Sequence, residues 1–81
     1  MAHGRFSDLV DTMARALVDE PGSVDCAEFD GSGSTVVELR VARDDIGKVI
    51  GKSGRTAEAM RVLLSAASQK SGRRVHLDIL D

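Results

Sequence analysis

The most restrictive feature of this sequence is its shortness, because 81 residues supply apolar side chains for one hydrophobic core only. Apolar residues make up 42% of the chain and charged residues 30%, a balance typical of a folded globular domain and too apolar for a disordered segment. We therefore expect a single domain over residues 1–81, with residues 1–5 flexible ahead of the first helix.

The composition argues against several classes of protein. No apolar run approaches the roughly 20 residues that cross a bilayer, and the N-terminus lacks the apolar stretch of a secretory signal. The single Cys26 has no internal disulfide partner, and the two histidines, His3 and His76, give no metal-ligand spacing. We expect a cytoplasmic protein with no metal and no cofactor.

Charge is distributed unevenly between the two halves of the chain. Residues 1–39 hold two basic and eight acidic residues, whereas residues 40–81 hold nine basic and five acidic residues. Such a dipolar arrangement can steer a polyanion to one side of the molecule although the net charge is −2. The alternative is scattered solvated charge, and the charges alone leave both interpretations open.

Apolar periodicity predicts helices and strands in a regular order. A helical stripe of Phe6, Leu9, Val10, Met13 and Leu17 predicts a first helix over 7–19, capped by Ser7 and ended by Pro21 and Gly22. The glycine-rich run 31–34 predicts a hairpin between a strand at 24–30 and a second strand in which Val37, Leu39 and Val41 alternate with polar residues.

The second half predicts two helices and a last strand. Asp44 is expected to cap a short helix that reaches Ile50, and residues 55–70 form a long helix ended by Gly72. Val75, Leu77 and Ile79 alternate as a final strand. The order helix, strand, strand, helix, helix, strand predicts an α+β fold with three helices on one face of a three-stranded mixed sheet.

The connection between the two later helices, Gly51 to Gly54, carries the strongest chemical signal. Two glycines flanking two polar residues let another backbone approach closely, and amide N–H groups at a helix N-terminus favour an anion. Lys48, Lys52 and Arg55 add charge for phosphate oxygens, while an aliphatic floor for unstacked bases is expected from Ile46, Val49 and Ile50.

The run from Ile46 to Gly54 resembles the signature of the KH-domain family, whose GXXG loop clamps nucleic-acid backbone. The predicted element order is similar to the type II, bacterial members, and the length and the run Arg55–Ala57 are similar to the small single-domain bacterial RNA-binding proteins of the KhpA family. The residues that this resemblance marks as RNA-binding are Ile46, Gly47, Lys48, Val49, Ile50, Gly51, Lys52, Ser53, Gly54 and Arg55.

The resemblance implies single-stranded RNA lying in a groove between the short helix, the loop and the second strand. It also implies a post-transcriptional regulator or RNA chaperone, and a second KH protein, KhpB, as a candidate partner. The rival interpretation is a protein-interaction subunit that uses the same fold for homo- or heterodimerisation, with weak RNA contact or none.

Two other interpretations of the glycine-rich run are weighed against this one. A nucleotide-binding phosphate loop needs four residues between its glycines, but only three separate Gly47 from Gly51, and the preceding residues are predicted to be helical. A mere tight turn between helices explains the glycines and leaves the basic cluster unexplained. No serine lies in a nucleophile-and-base arrangement, so we expect no enzyme and no catalytic residue.

The long helix carries more apolar residues than one sheet can cover. Met60, Leu63, Leu64 and Ala67 are predicted to face the core, and Ala59, Val62 and Ala66 form a second stripe behind them. So broad an apolar arc predicts a homodimer interface at Ala59, Val62 and Ala66. The alternative is that the alanines serve helix propensity alone.

Overall fold

The computed structural model describes residues 4–80. Its helices and strands are α1 (Arg5–Leu17), β1 (Asp25–Asp30), β2 (Ser34–Arg40), α2 (Ile46–Ile50), α3 (Arg55–Ser68) and β3 (Arg74–Ile79), with single 3-10 turns between several of them. The predicted element order and the α+β class are confirmed. None of the helices between residues 4 and 80 has the length and apolarity to cross a membrane.

The sheet is mixed, as predicted, with strand order β1-β2-β3. Strand β1 runs antiparallel to β2 and places Glu28 opposite Val37, whereas β3 runs parallel to β2 and places Leu77 opposite Val37. The helices cover one face, where apolar side chains from every element pack into one core. That core contains Phe6, Val10, Ala14, Val24, Cys26, Val37, Leu39, Val49, Met60, Leu64 and Leu77.

Helix α1 begins two residues earlier than predicted because Ser7 acts inside its first turn and not as its cap. Gly4 is the N-cap; the Ser7 hydroxyl accepts a hydrogen bond from the Gly4 N–H at 2.7 Å and donates to the Gly4 carbonyl at 3.0 Å. Gly4 and Arg5, which belong to the stretch 1–5 predicted to be flexible, therefore form the start of the helix. Residues 1–3 of that prediction lie outside the described residues.

The faces of α2 and α3 differ from prediction at two residues. Asp45, not Asp44, precedes α2, and its carboxylate turns inward instead of capping the helix. Leu63 was predicted to lie in the core, but its side chain is 51% exposed. Ala57, Met60 and Leu64 already fill the stripe of α3 that faces the sheet, and the 3.6-residue period then turns Leu63 outward.

Candidate functional site

The connection between α2 and α3 is a tight turn built on left-handed backbone. Gly51 has φ +78° and ψ 171°, Ser53 has φ +58°, and Gly54 has φ +74°. The Gly51 conformation is essentially restricted to glycine. Lys52 and Ser53, at the tip of this turn, are exposed, so the fold presents both of them to solvent.

Only part of the loop backbone is free to bind a ligand. The Gly51 N–H donates to the Gly47 carbonyl at 2.9 Å, the Gly54 N–H to the Gly51 carbonyl at 3.1 Å, and the Arg55 N–H to the Lys52 carbonyl. Within residues 4–80, the N–H groups of Lys52 and Ser53 have no acceptor in the chain. Of the loop amides expected to bind a phosphate, the N–H groups of Lys52 and Ser53 are therefore the ones available.

The three predicted phosphate-binding cations are not equivalent. Lys48 Nζ lies 3.2 Å from Asp19 Oδ2 and 3.5 Å from Asp45 Oδ1. The hydrogen bond and charge of Asp19, followed by those of Asp45, raise the pKa of Lys48. Lys52 and Arg55 are exposed, and neither forms an ion pair with another described residue. Lys48 is thus partly neutralised by its own chain, whereas Lys52 and Arg55 are available to an anion.

Asp45 is a structural residue that sequence reasoning missed. Its side chain is almost fully buried, and its Oδ2 accepts a hydrogen bond from the Glu20 N–H at 3.1 Å. Burial by itself would raise the pKa of this carboxyl, but the backbone N–H donors of Glu20 and Asp19 and the Lys48 ammonium outweigh it and lower the pKa. Asp45 therefore ties the segment after α1 to the start of α2. Two adjacent aspartates look alike in a single sequence, so no local signal distinguishes them.

The aliphatic floor is smaller than predicted. Val49 is fully buried in the core and has no surface left for a base, which corrects its assignment as a base contact. Ile50 is 38% exposed and Ile46 is partly exposed beside it. Gly47 lies on the exposed side of α2, and a Cβ at this position would meet no atom within 4 Å. The accessible surface of α2 next to the loop therefore consists of Ile46, Gly47 and Ile50.

An acidic concavity of about 360 Å³ lies beside this surface. It is lined by Asp19, Glu20, Asp44 and Asp45 with Ala42 and Arg43. Among residues 4–80 no group of acidic, histidine and cysteine side chains has the arrangement needed for a metal ion. Because these carboxylates repel phosphate, an anionic strand would reach the loop from the side of Lys52 and Arg55.

The second stripe of α3 is exposed, as the sequence predicts for an interface. Ala59, Val62 and Ala66 all face solvent, and Val62 is 58% exposed. Next to them, α1 and α3 enclose an apolar concavity of about 300 Å³ whose walls are Met13, Ala16, Leu17, Thr56, Ala59, Met60 and Leu63. Whether a second copy covers this surface stays a prediction.

Comparison with known proteins places the chain among bacterial relatives of the same size. Residues 7–79 match the family model described as KhpA/KhpB, KH domain. The RNA-binding protein KhpA of Halalkalibacterium halodurans is 53% identical over 73 residues, which cover 90% of this chain and 96% of the relative. The RNA-binding protein KhpA of Caldanaerobacter subterraneus is 49% identical over 75 residues, which cover 93% of this chain and all of the relative.

Two solved structures of the protein Era share the fold. An Aquifex aeolicus Era variant bound to GDP and AlF4− superposes with a TM-score of 0.62 at 21% identity, covering 91% of this chain and 29% of Era. Era in complex with MgGDPNP and a segment of 16S ribosomal RNA gives a TM-score of 0.63 at 21% identity, covering 91% of this chain and 28% of that one. At this identity the likeness concerns the fold alone.

Proposed function

The chain belongs to the KhpA/KhpB KH-domain family, which confirms the resemblance seen in its loop motif, and from this premise we propose that it binds single-stranded RNA through the Gly51–Gly54 loop and the adjoining surface of α2. The relatives that match it over nearly their full length are named RNA-binding protein. In this proposal the domain is non-catalytic and acts as a post-transcriptional regulator or RNA chaperone, and its cytoplasmic location remains a prediction.

The observation that carries the proposal is the bare surface at Gly47. Glycine inside a helix destabilises it by about 1 kcal/mol relative to alanine. Gly51 is required by the turn, but the space around Gly47 would accept a side chain without contact. The fold therefore has no need of glycine at position 47. A sugar-phosphate backbone passing close to α2 supplies the reason, since any side chain there would stand between the strand and the loop.

The chemistry of binding follows from the groups that are free. The N–H groups of Lys52 and Ser53 donate to the oxygens of one phosphate, and the side chains of Lys52 and Arg55 supply the charge. Ile46 and Ile50 contact the bases, because the groove has no aromatic side chain for stacking. With these two cationic side chains on phosphates, the slope of log affinity against log salt is roughly −1.4.

The test is a titration of labelled short oligoribonucleotides against Lys52→Asp combined with Ser53→Asp. We expect RNA retention to be lost with the fold and the self-association unchanged. The control, Arg5→Asp combined with Ser23→Asp, makes the same change in net charge at exposed positions outside the site. Equal losses in both variants, or none in the first, would refute the proposal, and so would loop amide resonances that stay in place on titration.

A second candidate function is self-association through α3, and the exposed Val62 and Leu63 favour it. Val62 is 58% exposed and Leu63 is 51% exposed. Together with the neighbouring apolar concavity, they form a large apolar surface for so small a domain. We propose that Ala59, Val62 and Ala66 contribute to a homodimer, or to a heterodimer with a KhpB-type KH protein.

Sedimentation at micromolar concentration tests this second candidate. Val62→Glu is expected to convert a dimer to a monomer. Gln69 is exposed just after α3 and lies outside the apolar surface, so Gln69→Glu is expected to leave the dimer intact. A wild-type monomer under these conditions, unaltered by Val62→Glu, would exclude the homodimer.

A further inference from the structure

Strand β3 is an edge strand whose outer side has free hydrogen-bonding groups. The Arg74 N–H donates to the Gly33 carbonyl at 3.1 Å and the Leu80 N–H to the Leu39 carbonyl at 2.9 Å. Backbone N–H and carbonyl groups alternate in direction along a strand. In β3 those of the even-numbered residues point to β2, and those of Val75, Leu77 and Ile79 point to the open edge of the sheet.

One of these outer backbone groups, the Leu77 carbonyl, has a hydrogen-bond partner, and the groups that precede it along the strand have none among the described residues. Arg61 of α3 donates from Nη2 to the Leu77 carbonyl at 3.2 Å. Within the part of the chain that the structure describes, the Val75 N–H and carbonyl and the Leu77 N–H have no partner. Unpaired donors and acceptors in alternation are the template for an added strand.

A groove runs beside this free segment. Its volume is about 410 Å³, and its walls include Ser65 and Ser68 of α3, Gln69 just after that helix, and Arg74, Val75 and His76 of β3. The serines leave space next to the strand, and none of the described residues that line the groove carries a carboxylate. Arg74 and His76 are exposed, and Lys70 lies in the turn that leads from α3. The groove thus combines an open strand edge with basic side chains.

We propose that this groove binds an acidic, extended segment of a partner protein, which adds to the sheet as a fourth strand along β3. The charge of the groove favours Asp and Glu side chains. The free N–H and carbonyl of Val75 and the free N–H of Leu77 match the alternating donors and acceptors of an extended peptide backbone. The acidic strand β1 of a second copy is a poorer occupant, since pairing β1 of each copy with β3 of the next would build an open filament.

A random twelve-residue peptide library displayed on phage and selected against the immobilised full chain tests the proposal. We expect enriched peptides with Asp or Glu at alternate positions and without internal Pro. On binding, a synthetic copy of an enriched peptide should shift the Val75 and Leu77 amide resonances and slow their hydrogen exchange. Its affinity should fall at least tenfold for Arg74→Glu and should stay within twofold for Arg40→Glu, an exposed arginine on the neighbouring strand.

Four outcomes would overturn the proposal. In the first two, enriched peptides carry no acidic bias, or they bind Arg74→Glu as well as wild type. They could instead shift resonances of the Gly51–Gly54 loop only. Finally, an oligoribonucleotide, and not a peptide, could protect Val75 and Leu77, which would identify the groove as a further RNA contact.

Discussion

Gly51 and Thr56 are packed so closely that no side chain fits between them. A Cβ atom placed on Gly51 would lie 2.7 Å from the Thr56 Cβ and 2.9 Å from the Thr56 backbone nitrogen. The turn before α3 is therefore set by a contact between its first glycine and the second residue of the helix.

Replacing Gly51 by Ala should strongly destabilise the fold. The backbone conformation alone is unfavourable for alanine by about 1 to 3 kcal/mol, and the overlap with Thr56 adds to it. The control is Gly33→Ala, where φ is +75° but an added Cβ would meet no atom within 4 Å. We therefore expect a smaller loss of unfolding free energy there, about 1 kcal/mol. Urea unfolding of both variants measures the difference, and equal losses would contradict the role assigned to Thr56.

Replacing Gly47 by Ala should separate stability from RNA affinity. Alanine favours the helix, so the free energy of unfolding should rise by about 0.5 to 1 kcal/mol. RNA affinity should fall, because the added methyl group stands on the surface that the strand approaches. Unfolding and RNA titration of the same protein check both effects. Unchanged or improved RNA affinity would remove the main support for the proposed groove.

Replacing Lys48 or Lys52 by Met, which keeps most of the side-chain length, should affect two different properties. Lys52→Met should weaken RNA binding and lower the magnitude of the salt slope by roughly 0.7. Lys48→Met should lower stability instead, because it leaves Asp45 buried without its cationic partner. RNA titrations at several salt concentrations, together with urea unfolding, distinguish the two. A larger effect of Lys48 on the salt slope would contradict the ion pairs with Asp19 and Asp45.

Stability should decrease in acid, partly because of Asp45. Its pKa is lower in the folded chain than the ordinary value of 3.8, so the carboxylate stabilises the fold above that value and this contribution is lost as the pH falls through the lowered pKa. We expect the decrease in unfolding free energy from about pH 5 to about pH 2 to be shallower in Asp45→Asn than in wild type. Asp44→Asn, a change at an exposed neighbour, is the control. Parallel curves for wild type and Asp45→Asn would argue against this linkage.

Cys26 should be unreactive in the folded protein. Burial, followed by the charges of Asp11 and Asp25, raises the pKa of its thiol to about 12, so almost no thiolate is present at neutral pH. Ellman's reagent at pH 8 should label the thiol only at the rate at which the chain opens, and at once in concentrated urea. Immediate labelling of the native protein would show that β1 is not packed as described.

Local chemistry made much of this fold predictable. The alternation of Val37 and Leu39 identified the second strand. Gly72, at φ +69°, has the predicted left-handed conformation, although α3 itself ends at Ser68 and the 3-10 turn Gln69–Ser71 lies between them. The Gly51–Gly54 turn was also visible in the sequence, because glycine at a positive φ is a local requirement. Such features depend on neighbours within a few residues, which a sequence displays directly.

Contacts between distant residues were not predictable in this way. Nothing local in the sequence assigns a role to Arg73, yet its guanidinium donates to the Gly31 and Ser34 carbonyls at 2.7 and 2.6 Å and so holds the hairpin against the start of β3. In the same way, the pairing of Lys48 with Asp19 depends on how the end of α1 meets α2.

The sequence by itself determined the order of the elements, the sheet-facing apolar stripes and the position of the loop, because each follows from periodicity and backbone preference. Only the tertiary structure decided which of the charged and apolar groups near the loop remain available. It buried Val49, paired Lys48 with two carboxylates and left the Lys52 and Ser53 amides free, because burial and ion pairing depend on segments that are far apart in the chain and meet only after folding.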